Sequence, residues 1–167
     1  MIATSNLPSW FIDGATLGLG LVMGSFANVV AYRVPRRISL GVSRSRCPTC
    51  LHTLAWWENI PLLSYLLLAG KCRNCKRQIS IRYPIVEIIT ATGWFVVVRS
   101  IGLHPELPAF LWFVTTLVIL SVIDLEHRRI PWRVVFPSFI AGVLLLFLAA
   151  LRAEDLGTWG RALAGAG

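Results

Sequence analysis

Four cysteines stand out for chemistry: Cys47-Pro-Thr-Cys50 and Cys72-Arg-Asn-Cys75. The pairs are separated by residues 51–71, which is 21 positions. Each tight Cys-x-x-Cys turn presents two sulfurs on one side, and two such turns complete a tetrahedron. A double Cys-x-x-Cys at this spacing, just beyond the usual window, points to zinc held by four thiolates. With Cys47, Cys50, Cys72 and Cys75 all committed, such a metal has no open position and is structural. The competing reading is two disulfides or free thiols, and a reducing compartment disfavours disulfides. His52, two residues after Cys50, is a spare ligand that four cysteines make unnecessary.

Asp124 is the second candidate. It closes an uncharged apolar stretch and opens Asp124-Leu-Glu-His-Arg-Arg-Ile-Pro131. An acid at a membrane surface is costly to hold and so suggests function. Partial desolvation there suits acid/base work. The alternative is a helix-end acid paired with Arg128 or Arg129, and position alone does not separate the two. Glu87 is expected to pair with Arg82 or to sit favourably at a helix start. Asp13 is expected to cap its helix, and His127 to lie in the polar headgroup zone.

The elements that must carry these residues follow from composition. The chain has 167 residues, 56% hydrophobic and 14% charged, with a mean hydropathy of +0.68. That excludes intrinsic disorder and argues against an ordinary soluble domain. A spanning helix needs about 17–25 mostly apolar residues. Four segments qualify, over residues 10–32, 84–103, 107–123 and 134–151. Four buried core helices would leave too little polar surface to cover them, so the spans are assigned to a membrane. The apolar run Ile60–Gly70 has 11 residues and is too short to cross. An interfacial or re-entrant segment, or the small core of the basic region, fits it. The fold expected is an all-α polytopic membrane protein with about four transmembrane helices and a cytoplasmic zinc-binding loop domain after the first. Its parts are 1–32 (outer N-terminus and first helix), 33–83 (basic four-cysteine domain) and 84–167 (membrane helical region).

Charge sets the orientation. The chain carries 16 Lys+Arg against 8 Asp+Glu, and residues 33–82 hold ten of the former and one acid. The positive-inside rule places that segment in the cytoplasm and the N-terminus outside. The turn at Arg128, Arg129 and Arg133 then falls inside, and the tail after Leu151 outside. Anionic headgroups could bind the basic loop at about 1 kcal/mol per residue near the surface. Nucleic acid is weakly supported as a partner, because topology already explains the charge. Gly20, Gly24 and Asn28 recur along one face of the first span, as a close helix contact needs. Gly18-Leu-Gly20 is no nucleotide fingerprint, since no strand precedes it.

Taken together, these motifs resemble a known family. Gly24-Ser-Phe-Ala-Asn-Val-Val-Ala-Tyr-Arg-Val-Pro35 is similar to the end of the first span of type IV prepilin peptidases. Glu58-Asn-Ile-Pro-Leu-Leu-Ser-Tyr65, Gly70-Lys-Cys-Arg-Asn-Cys75 and Ile79-Ser-Ile-Arg-Tyr-Pro84 resemble that family's cytoplasmic domain, in order and spacing. Ser121-Val-Ile-Asp124 with Ile130-Pro131 resembles the segment holding the first of two catalytic aspartates. The resemblance implies an aspartic endopeptidase of the bacterial inner membrane. It would remove short basic leaders from type IV prepilins and type II secretion pseudopilins, after a glycine, at the cytoplasmic face. It also implies N-methylation of the new amino terminus with S-adenosylmethionine.

The family's second aspartate lies in a Gly-x-Gly-Asp motif on a later span, and no aspartate follows Gly165-Ala-Gly167. Asp155 is a poor substitute, and Glu126 points elsewhere on a helix. The chain is therefore expected to be an incomplete copy that is inactive as written. The alternative is a non-catalytic membrane remnant or a zinc-loop binding protein of a pilus or secretion system.

Overall fold

The computed structural model describes residues 7–41 and 45–152. Five α-helices occur in order among them: α1 Ser9–Arg33, α2 Leu63–Leu67, α3 Arg82–Ile101, α4 Leu107–His127 and α5 Trp132–Arg152. A 3-10 turn, Trp56–Asn59, precedes α2. All but α2 are long and apolar enough to cross a membrane. The expected all-α, four-span architecture is present. The expected spans lie inside these helices to within a residue or two at most ends. The clear exception is α4, which continues past Ile123 to His127 and so takes Asp124 into its last turn. Large apolar side chains such as Leu19, Phe113, Phe139 and Leu148 face outward, as lipid-facing positions do.

Each helix has a local reason to stop. Helix α3 ends at Gly102, whose φ of 75° a side chain would resist. Helix α4 begins with Pro108 in its first turn and ends where Arg128 turns left-handed, at φ 49°. Helix α1 runs out at Arg33, whose guanidinium donates to the carbonyls of Ser39 and Leu40, both at 3.2 Å, and folds the following chain back.

The closest helix contact joins α1 to α3. A Cβ on Gly20 would lie 2.6 Å from the Ala91 Cα, and one on Gly24 would lie 2.6 Å from the Glu87 Cα. Asn28 completes the face: its Nδ2 donates to the Tyr83 carbonyl at 3.1 Å and to Gly24 O at 3.3 Å. The expected small-residue face is therefore an interhelical contact. The atoms it meets are backbone, which cannot swing aside. Gly24→Ala is expected to cost roughly 1–3 kcal/mol, read as a lowered thermal midpoint in detergent. Gly18→Ala, facing open space, should leave the midpoint unchanged or raise it slightly. Equal midpoints for the two variants would contradict the contact.

Polar side chains add to the packing. Trp94 Nε1 donates to Thr115 Oγ1 at 3.0 Å, between α3 and α4. Trp112 Nε1 donates to Ser138 O at 3.0 Å, between α4 and α5. The apolar core collects Ala27, Val30 and Ala31 of α1, Val86 of α3, Ile119, Val122 and Ile123 of α4, and Val134 of α5. It lies where α1 and α4 end and α3 and α5 begin. The four-cysteine segment leaves from and returns to that same end.

Candidate metal centre and acidic site

Each cysteine pair sits in the same small loop. Cys47 N–H donates to His52 O at 2.9 Å, and Leu51 N–H returns to Cys47 O at 3.0 Å. Cys72 N–H donates to Arg77 O at 2.8 Å, and Lys76 N–H returns to Cys72 O at 3.0 Å. The residue after each second cysteine is left-handed: Leu51 at φ 57° and Lys76 at φ 58°. Single antiparallel bridges, Arg46 with Thr53 and Lys71 with Gln78, close the two loops. Arg73 of the second loop lies over the Trp57 ring, 5.2 Å from its centroid, and ties it to the segment after the first.

The loops face one another. All four Sγ atoms lie within 4.8 Å of each other, with Cys47 to Cys75 and Cys50 to Cys72 both at 3.9 Å. A tetrahedron with metal–sulfur bonds of about 2.3 Å has edges of about 3.8 Å. No disulfide joins the four cysteines, so the disulfide alternative is not what the fold builds. The Cys50 backbone N–H, with smaller help from Thr49 and nearby thiols, holds the Cys47 thiol down to about 6. Cys50 is lowered too, chiefly by the His52 N–H. Cys75 goes the other way, to about 11: the Arg77 N–H favours its thiolate, but burial and the other three sulfurs outweigh it. Four adjacent thiolates repel one another, and a cation among them removes the conflict. The residues present fit a four-coordinate metal ion.

His52 is not aimed at that centre. Its Nε2 lies 3.5 Å from Glu58 Oε2, and the buried Glu58 also accepts the Ala55 N–H at 2.7 Å.

At the membrane end, Asp124 is exposed in the last turn of α4, next to the buried Ile123. Its backbone carbonyl accepts the Arg128 N–H at 2.7 Å. Among the described residues its carboxylate forms no ion pair, so the alternative of a pairing with Arg128 or Arg129 is not what the fold builds. The pairs formed are others. Arg82 pairs with Glu126, which fixes the start of α3 to the end of α4. His127, half-buried beside them, has its Nε2 3.8 Å from Glu126 Oε2. Arg99 Nη2 reaches Asp13 Oδ2 at 2.6 Å, at the opposite end of the bundle.

Two expectations are thereby corrected. Asp13 does not cap α1, which begins four residues earlier at Ser9; it is an interhelical ion-pair partner. Glu87 neither pairs with Arg82, which Glu126 takes, nor sits at the helix start. Its carboxyl accepts the Leu62 N–H at 2.8 Å. Sequence reasoning missed both because the partners are distant in the chain.

A cavity of about 560 Å³ opens beside Ile123 and gathers Arg36 and Arg37, after α1, with Arg129 and Arg133, around the α4–α5 turn. The two basic clusters therefore lie at one end of the bundle, and Asp13–Arg99 marks the other. Asp155 and residues 161–167, on which the expectations about a second aspartate fall, lie outside the described residues. So does Arg44 of the basic segment.

Residues 19–101 match the family model described as the bacterial peptidase A24 N-terminal domain. The chain is 49% identical over 146 residues to the prepilin leader peptidase/N-methyltransferase of Myxococcus xanthus, covering 86% of this chain and 44% of that protein. It is 36% identical over 160 residues to the protein of that name from Pseudomonas putida, covering 83% and 55%. It is 37% identical over 159 residues to the type 4 prepilin-like proteins leader peptide-processing enzyme of Escherichia coli, covering 84% and 57%. The chain thus spans about half the length of these relatives. No solved structure matches it.

Proposed function

The chain belongs to the type IV prepilin peptidase family, whose N-terminal portion it matches, and from that premise we propose that the protein it represents is a leader peptidase of the bacterial inner membrane. Its substrates are type IV prepilins or pseudopilins, cut at the cytoplasmic face. The observation that carries the reading is Asp124 itself. It is an exposed carboxylate with no ion-pair partner among the described residues, at the end of a membrane-capable helix, where a substrate helix's leader would emerge.

Asp124 is one of the two carboxylates an aspartic mechanism needs. One of such a pair stays protonated while the other takes a proton from the attacking water. Rigid backing supports this role: the Arg82–Glu126 pair and the buried Ile123 hold the helix end that carries the carboxylate.

The four-cysteine centre holds zinc, and its role is structural, since four sulfurs leave no position for substrate. It clamps a cytoplasmic module over residues 33–83, between the first span at 1–32 and the helical region from 84. The orientation follows from the charge: the two basic clusters share a cavity at the module's end of the bundle, and the N-terminus then lies outside. The relatives' names also support N-methylation of the new amino terminus, with S-adenosylmethionine as the methyl donor. Anionic lipid headgroups are the natural neighbours of the exposed arginines. The function is tested by exposing a prepilin to membranes that carry the protein expressed from its native gene, and following loss of the leader.

A further inference from the structure

Glu87 takes no part in the metal centre or in the chemistry proposed for Asp124, yet it is among the most enclosed polar groups of the molecule. It is 6% exposed and lies five residues into α3. On one side α1 presses against it at Gly24, where even a Cβ would meet its Cα at 2.6 Å. On the other side its Oε2 accepts the Leu62 N–H at 2.8 Å, and the Ser25 side chain is a second partner. A buried carboxyl without such partners would be strongly disfavoured.

The far end of this bond is an unusual turn. Leu62 has φ 60° and ψ −48°, and the Leu63 N–H bonds back to the Pro61 carbonyl. That is the rare positive-φ γ-turn, strained for any residue with a side chain. Strained backbone persists only where its surroundings over-determine it. Here the Leu62 N–H donates to a membrane-helix carboxyl. The turn also stands between the two cysteine loops: the 3-10 turn Trp56–Asn59 precedes it, and α2 leads through Gly70 into Lys71 and Cys72. Gly70 fastens that side, with its N–H on Tyr65 O at 2.8 Å and its carbonyl accepting Ile79 N–H at 2.7 Å.

We propose that Glu87 is a positioning residue: its carboxyl group holds the strained Leu62 turn and so seats the four-cysteine module in one register on α1 and α3. The metal holds the module's two loops to each other, and Glu87 holds the module to the helices. Val86, beside Glu87, and Ile123, beside Asp124, belong to the same core cluster. The register Glu87 sets is therefore the register of the module against the Asp124 end of the bundle. The inference does not rest on the peptidase reading and holds whatever metal the cysteines take.

The test is amide hydrogen exchange on the purified full chain in detergent, comparing residues 61–69 with residues 88–98 of α3. Glu87→Ala is expected to speed exchange in 61–69 by about tenfold and to leave 88–98 at the wild-type rate. Glu87→Gln keeps a carbonyl oxygen to accept the Leu62 N–H and should restore most of the protection. Wild-type exchange of 61–69 in Glu87→Ala overturns the proposal. So does Glu87→Gln behaving like Glu87→Ala. A rise in 88–98 together with 61–69 would assign Glu87 to helix packing and overturn it equally.

Discussion

In the protein expressed from its native gene, Asp124→Asn is expected to lower leader cleavage by roughly 10²–10⁴-fold, the usual worth of a positioned acid/base group, without unfolding the protein. Asparagine has nearly the same shape but cannot take the proton from water. The side chain at 124 is exposed and forms no ion pair among the described residues. Replacing it should therefore change stability by no more than about 0.5 kcal/mol, as is usual for such surface positions. Chemistry and folding can then be separated: single-turnover cleavage of a prepilin should collapse while the thermal midpoint stays put. A variant that cleaves at the wild-type rate would remove Asp124 from the mechanism. One that loses activity and midpoint together would make it a structural residue.

Changing two cysteines, one from each loop, should have the largest effect on the four-cysteine module. Structural zinc contributes about 10–16 kcal/mol of apparent binding free energy in small zinc domains, and that energy is folding energy. The module has few other resources. Among its described residues the regular structure is a 3-10 turn and the five residues of α2, and Trp56, Leu66 and Leu67 are strongly exposed. Cys47→Ser with Cys72→Ser is expected to abolish bound zinc, measured by mass spectrometry of the metal, and to remove amide protection across 46–78. The helices α3 and α4 pack through Trp94 and Thr115 and through the apolar core, so their protection should survive. Retained stoichiometric zinc in the double variant, or an unchanged module after its loss, would contradict a metal clamp.

Much of this architecture was legible from local pattern, and the reasons are physical. Long apolar runs are unambiguous because the bilayer demands a minimum length. The cysteine spacing is legible because a tetrahedron needs two turns of fixed form. Gly20, Gly24 and Asn28 are legible because helix periodicity puts them on one face. What escaped depends on which helices become neighbours. Glu87 meets Leu62 across a 25-residue separation, and Arg99 meets Asp13 across 86. Arg82 is near Glu87 in sequence but is drawn to Glu126 on the next helix. Leu51, Lys76 and Leu62 take positive φ without being glycine, so no residue type announced those turns. The extension of α4 through Asp124 was hidden because charge, read as the end of a span, does not end a helix.

The most direct test is the mass of a prepilin after incubation with membranes carrying the protein expressed from its native gene, beside membranes carrying Asp124→Asn. The expected result is a pilin shortened by its leader, cut after glycine, in the first sample, and an intact prepilin in the second. An intact prepilin in both samples, with the protein folded, would contradict the assignment as a leader peptidase.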